Sequence, residues 1–78
     1  MTFFEYMMRY LKSDTPAGDL ARDMHRDKEY FPSSNDGKEI MAYLFAKGAC
    51  SECLDNFEKC YVQYVRYELK QYRRADDE

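Results

Sequence analysis

The chain has no tryptophan, one histidine, two prolines and three glycines among 78 residues. So little Gly and Pro excludes a collagen-like or low-complexity chain, and 45% apolar with 17% aromatic residues is the composition of a folded domain rather than a disordered segment. No window approaches the ~20 apolar residues that a spanning helix requires. The opening Met1-Thr2-Phe3-Phe4-Glu5 lacks the basic region of a signal peptide, so the expected compartment is the cytoplasm and no membrane is expected as partner. Cysteine is scarce and odd in number: three cannot all pair within one chain, which argues against a secreted disulfide scaffold. A Gly-rich phosphate loop, a Ser-His-Asp spacing and a paired-carboxylate signature are all missing, so no enzyme and no cofactor are expected. A chain this short buries only about 60% of its unfolded surface, which allows one modest core.

What is present reads as helices. Thr2 with Glu5 three residues later has the form of a capping box, and Phe3, Phe4, Met7, Met8, Tyr10 and Leu11 give a first helix, expected over Phe3 to Lys12, a broad apolar face. Ser13-Asp14-Thr15-Pro16 breaks it; Thr15 caps a second helix and Pro16 suits its first position, where a missing N–H costs nothing. That helix is expected to reach Asp27, with Ala17, Leu20, Ala21 and Met24 on one narrow face. Tyr30-Phe31-Pro32 and Ser33 to Gly37 form the one long connection, with Phe31 and Pro32 plugging the core's edge. Asn35 or Asp36 caps a third helix, Gly37 to Lys47, whose inward residues are Ile40, Met41, Tyr43, Leu44 and Phe45, and Gly48 ends it.

Ser51 is the expected cap of the last helix, since neither Gly nor Pro occurs from Glu52 onward. Leu54, Phe57, Tyr61, Tyr64 or Val65, Glu68 or Leu69, and Tyr72 recur at helical spacing. A helix of some 20 residues spans roughly 30 Å, more than a small bundle covers. The turns beyond Leu69 are expected to project and to end in a frayed Asp76-Asp77-Glu78 tail. Residues 1–64 then form the helical domain and 65–78 its extension.

FFEYMMRY at Phe3 to Tyr10, GDLARDMHRD at Gly18 to Asp27, the Tyr30-Phe31-Pro32 loop and IMAYLFAKGACSECLDNFEKCYVQY from Ile40 to Tyr64 together resemble the YozE-like family of small bacterial proteins with a sterile-alpha-motif-like (SAM-like) fold. The resemblance implies an all-α chain, a compact four- to five-helix SAM-like bundle with a long C-terminal helix, and no catalytic residue or cofactor. The family often carries Trp where this chain has Tyr6 or Tyr61; tyrosine keeps an aromatic plug with a polar tip. The stretch from Val65 onward is longer and more basic than in the family, so the resemblance implies nothing about its role.

Cys50 and Cys53 have the spacing of redox and zinc sites, and Cys60 follows seven residues later. A redox pair of this type normally follows a strand, and zinc would need His25 from another helix, so the three are read as small buried apolar residues with no metal bound. His25, flanked by Met24 and Arg26, is read as a solvated surface residue, and the methionines as core.

The net charge of −3 hides a division: residues 1–60 carry −3, residues 61–75 carry +3, and the last three carry −3. Arg66, Lys70, Arg73 and Arg74 fall at offsets 0, 4, 7 and 8 along one helix face, with Tyr64, Tyr67 and Tyr72 nearby. These seven residues are the candidate interaction surface. The leading expectation is a non-catalytic module that binds a protein partner, since tyrosine is enriched in interface cores; self-association is a further possible outcome. Nucleic-acid contact through the basic stripe is less favoured, because basic charge near a helix C-terminus also offsets the macrodipole. A small acidic inhibitor of a nucleic-acid-binding enzyme, of the kind mobile elements encode, would instead use Asp19, Asp23, Asp27, Glu29, Asp36 and Glu39.

Overall fold

A computed structural model describes residues 1–76, and side-chain surroundings through residue 73. It contains four helices: α1 (Phe3–Met8), α2 (Pro16–Arg26), α3 (Gly37–Ala46) and α4 (Ser51–Asp76), and no strand among the described residues. The fold is therefore the expected all-α bundle with a long last helix. Asp77 and Glu78 of the expected acidic tail lie outside the described residues. Among the described residues no helix is long and apolar enough to cross a membrane.

α1 starts at the expected capping box: Glu5 N–H donates to Thr2 Oγ1 at 3.0 Å, and Thr2 N–H donates to the Glu5 carboxylate at 3.0 Å. It ends four residues earlier than its apolar pattern suggests. From Arg9 the backbone tightens into three-residue turns, Arg9 N–H to Tyr6 O at 3.3 Å, Tyr10 to Met7 at 2.9 Å and Leu11 to Met8 at 3.4 Å. The cause is tertiary: the Arg22 guanidinium of α2 donates to Leu11 O at 2.9 Å and Ser13 O at 3.0 Å, so those carbonyls turn toward α2 instead of continuing the helix.

α2 and α3 follow the turn chemistry. Thr15 Oγ1 accepts from Gly18 N–H at 3.2 Å, and Asp36 Oδ1 from Lys38 N–H at 3.0 Å, so Asp36 rather than Asn35 caps α3. Gly48 has φ +84°, with its N–H on Phe45 O at 3.0 Å and the Ala49 N–H on Leu44 O at 3.1 Å, the double hydrogen bond of a left-handed helix end. α4 begins at Ser51, and Cys50, not Ser51, occupies the capping position, its carbonyl accepting from Leu54 N–H at 3.0 Å.

The core draws on every helix: Phe3, Tyr6 and Met7; Leu20, Ala21 and Met24; Ile40; Phe57, Cys60 and Tyr64. Phe3 is its hub, with ring centroids 5.5 Å from Phe57, 5.5 Å from Tyr64 and 5.6 Å from Tyr61. Phe31 closes one edge between Phe4 and Tyr43, as its place before Pro32 suggests. Phe45, expected inward, is 73% exposed, because Ile40 and Leu44 already occupy the inner face of α3.

Tyr6 and Tyr61, expected as aromatic plugs with polar tips, both use their hydroxyls. Tyr6 is buried, and burial followed by the Tyr10 hydroxyl, 3.2 Å away, pushes its phenol up to about 12. Tyr61 OH donates to Asn35 O at 2.7 Å and accepts from Gly37 N–H at 3.1 Å, while Asn35 Oδ1 accepts from Phe3 N–H at 2.9 Å. One phenol and one amide thus tie the connecting loop to α1 and α4. Tyr61→Phe keeps the ring and removes both of its bonds. The expected cost is about 1 kcal/mol, because the freed backbone groups lie near solvent and rehydrate. Urea denaturation checks this, and an unchanged midpoint would mean the hydroxyl does not hold the loop.

Candidate functional site

α4 carries an inward stripe and an exposed apolar one, offset by one residue. Phe57, Tyr61, Tyr64 and Glu68 turn toward the bundle, whereas Val62, Val65, Leu69 and Tyr72 are exposed. The exposed set repeats at 3, 4 and 3 residues, the spacing of a helix-pairing seam. Leu69 is 53% exposed and Tyr72 67%. The seam leads into an open groove of about 840 Å3 between α3 and α4, lined by Met41, Ala42, Phe45, Phe57, Tyr61 and Val62, with Asp36, Lys38 and Glu58 at its rim.

The seven residues singled out from sequence do not form one surface. Tyr64 is a core residue, 5% exposed, whose hydroxyl donates to Met1 O at 2.6 Å; burial raises its phenol. Its assignment to the surface is corrected: the ring fills the space beside Phe3 and Tyr6. Tyr67 is half-buried against Tyr6, with the Arg9 guanidinium 5.0 Å over its ring, so this face is already occupied by a cation. Arg66, Lys70 and Arg73 are exposed as expected, on the side of α4 turned away from Phe57 and Tyr64. Tyr72 lies about a third of a turn from them on average, in the apolar seam. The Arg74 side chain lies outside the described residues. Basic and aromatic side chains therefore separate onto different faces rather than interleaving.

Sequence reading missed the seam because it left Tyr64 or Val65, and Glu68 or Leu69, as interchangeable inward positions. The signal was there: two overlapping apolar repeats on one helix are more than one core contact can use. Lys59, Arg66 and Arg73 flank the seam at seven-residue intervals.

The acidic side of the bundle is partly neutralised. Asp19 pairs with Arg22 at 2.6 Å, Asp23 with Arg26 at 3.4 Å and Asp27 with Lys47 at 3.2 Å. His25 is exposed, as read from sequence.

The cysteines divide. Cys60 is buried, with Sγ 3.6 Å from Asn56 Oδ1, and burial pushes its thiol up. Cys50 and Cys53 are exposed, which corrects their reading as buried apolar residues: they sit on the first turn of α4, before its inner face meets the core. Their sulfurs are 3.1 Å apart. The Cys53 thiol, then the backbone N–H groups of Cys53 and Glu52, hold the Cys50 thiol below its ordinary range. Hydrogen bonding to Cys50, followed by burial, raises Cys53. Among the described residues no three His, Cys, Asp or Glu side chains are grouped to hold a metal ion.

Comparison with known proteins fits this architecture. The family model for the YozE SAM-like fold matches residues 2–66, which covers all four helix starts and ends within α4. No curated protein and no solved structure matches the chain. With five-sixths of its length matched by that one model, the chain belongs to the YozE SAM-like fold family.

Proposed function

We propose that the protein is a non-catalytic helical module that binds a protein partner through the exposed α4 seam and the adjoining α3–α4 groove. The observation that carries this is the run Val62, Val65, Leu69 and Tyr72, exposed at pairing spacing and continuous with Phe45. An amphipathic helix fits such a surface, its apolar face on the seam and its acidic flank against Lys59, Arg66 and Arg73. The segregation of basic from aromatic side chains weighs against base stacking. Three of the six carboxylates of the acidic face are engaged in ion pairs, which weighs against imitation of a polyanion.

Photo-crosslinking from position 69 in the native host, with position 14 as an exposed control, tests the reading. A discrete protein adduct is expected from position 69 and not from 14, and the charge introduced by Val65→Asp is expected to weaken the contact at least tenfold with helicity unchanged, since Val65 is not in the core. Equal labelling from both positions would refute docking at the seam. An adduct with nucleic acid that no longer forms when irradiation is done at high salt would favour the basic stripe instead.

A further inference from the structure

We infer that Cys50 and Cys53 form a dithiol site that exchanges with low-molecular-weight disulfides, closing reversibly to an intramolecular disulfide. The inference stands apart from the docking surface, which lies on the other half of α4.

Geometry supplies the first reason. Cys50 occupies the capping position and Cys53 the third residue of α4, so their side chains stand on one face of the first helical turn, with Cβ atoms of such pairs about 5–6 Å apart. Their sulfurs, 3.1 Å apart, need to approach by about 1 Å to reach a disulfide's bond length, and the Cβ atoms must close to about 3.5–4.5 Å, which takes a small backbone adjustment at the capping residue, where the helix has not yet begun. Cys60, a further seven residues along the helix and buried, is out of reach of both.

Access and asymmetry supply the second. Both cysteines are exposed, and the Cys53 thiol, then the first-turn amides and the helix dipole, favour a thiolate at Cys50 while Cys53 keeps its proton. The division of labour follows. The Cys50 thiolate attacks one sulfur of a disulfide RSSR; the reagent's S–S bond breaks, RS⁻ leaves and takes a proton from water, and Cys50 carries a mixed disulfide. Cys53 then loses its proton to solvent and its thiolate attacks Cys50 Sγ, expelling the second RS⁻. Two protein thiols are oxidised by two electrons, and one RSSR is reduced to two RSH.

The test uses the full chain, glutathione disulfide as probe, acid quench, alkylation and intact mass at neutral pH. Wild type is expected to lose two hydrogens with no retained glutathione, and to recover them in excess reduced glutathione. Cys53→Ser is expected to stop at one glutathione on Cys50, and Cys50→Ser to react at least threefold more slowly at Cys53. Both positions are exposed, so circular dichroism should show native helicity in both variants. Cys60, left free in every case, is the internal control. Accumulation of a stable glutathione adduct on wild type, equal rates in the two serine variants, or modification of Cys60 as fast as Cys50 would each overturn the assignment.

Discussion

Phe3→Ala is expected to remove about 3–5 kcal/mol of stability, the cost of emptying a fully buried aromatic site. Phe3 has no solvent exposure, and its ring meets Phe57, Tyr61 and Tyr64 on α4 at centroid distances of 5.5 to 5.6 Å. Two of these three contacts are edge-on, a geometry that adds about 0.5–1.5 kcal/mol per pair beyond the area buried. A small domain of this size has roughly 4–12 kcal/mol in total, at the usual range per residue, so the substitution takes much of it. The melting temperature should fall by roughly 12 °C or more. Phe45→Ala is the matched control: the same change on a 73% exposed ring should stay within about 0.5 kcal/mol. Comparable losses in the two variants would mean that Phe3 is not the hub of the core.

Gly18→Ala sets two effects against each other. Alanine in place of glycine favours a helix by up to about 1 kcal/mol, less in the first turn where Gly18 lies. Against that, a Cβ at position 18 would run into the Ser13 carbonyl and stand 3.1 Å from Tyr10 O. These are backbone atoms of the turn that leaves α1, and no rotamer moves them aside. α1 and α2 would have to separate, loosening the Arg22 bonds to Leu11 O and Ser13 O. Packing should win, with a net loss of about 2–3 kcal/mol in chemical denaturation. A stabilised variant would show that the α1–α2 contact yields more easily than its geometry implies.

The same contact explains why the end of α1 was not legible in the sequence. No helix breaker stands between Met8 and Ser13, so periodicity carries the helix on; what stops it is the approach of α2, made possible by a glycine and fastened by an arginine from elsewhere in the chain. The limits of α2 and α3 were legible because Thr15-Pro16, Asp36 and Gly48 act on their own neighbourhoods. The basic residues Arg66, Lys70 and Arg73 were read as exposed because a charged side chain seldom suits a core. Tyr64 and Tyr67 were misplaced because tyrosine serves cores and interfaces equally well. Which face of α4 turns inward is decided by hydroxyl partners far along the chain, Met1 for Tyr64 and Asn35 with Gly37 for Tyr61. Cys50 and Cys53 were read as buried because no strand precedes them, zinc would need His25 from another helix, and cysteine is commonly buried, whereas their exposure follows from their place at the start of the helix, outside the core contact.

α4 joins the core and the seam in one unbroken helix of 26 residues. Its outer turns have little packing of their own, and a detached helical segment of fewer than about 12–15 residues is marginal in water. The seam is therefore a property of the folded bundle. If a partner docks there as proposed, docking and folding form one linked equilibrium, in which a partner at a hundred times its dissociation constant adds about 2.7 kcal/mol to the native state. A lesion deep in the core, such as the loss of Phe3, would weaken partner capture without touching the seam, and a saturating partner would rescue part of that lesion's stability.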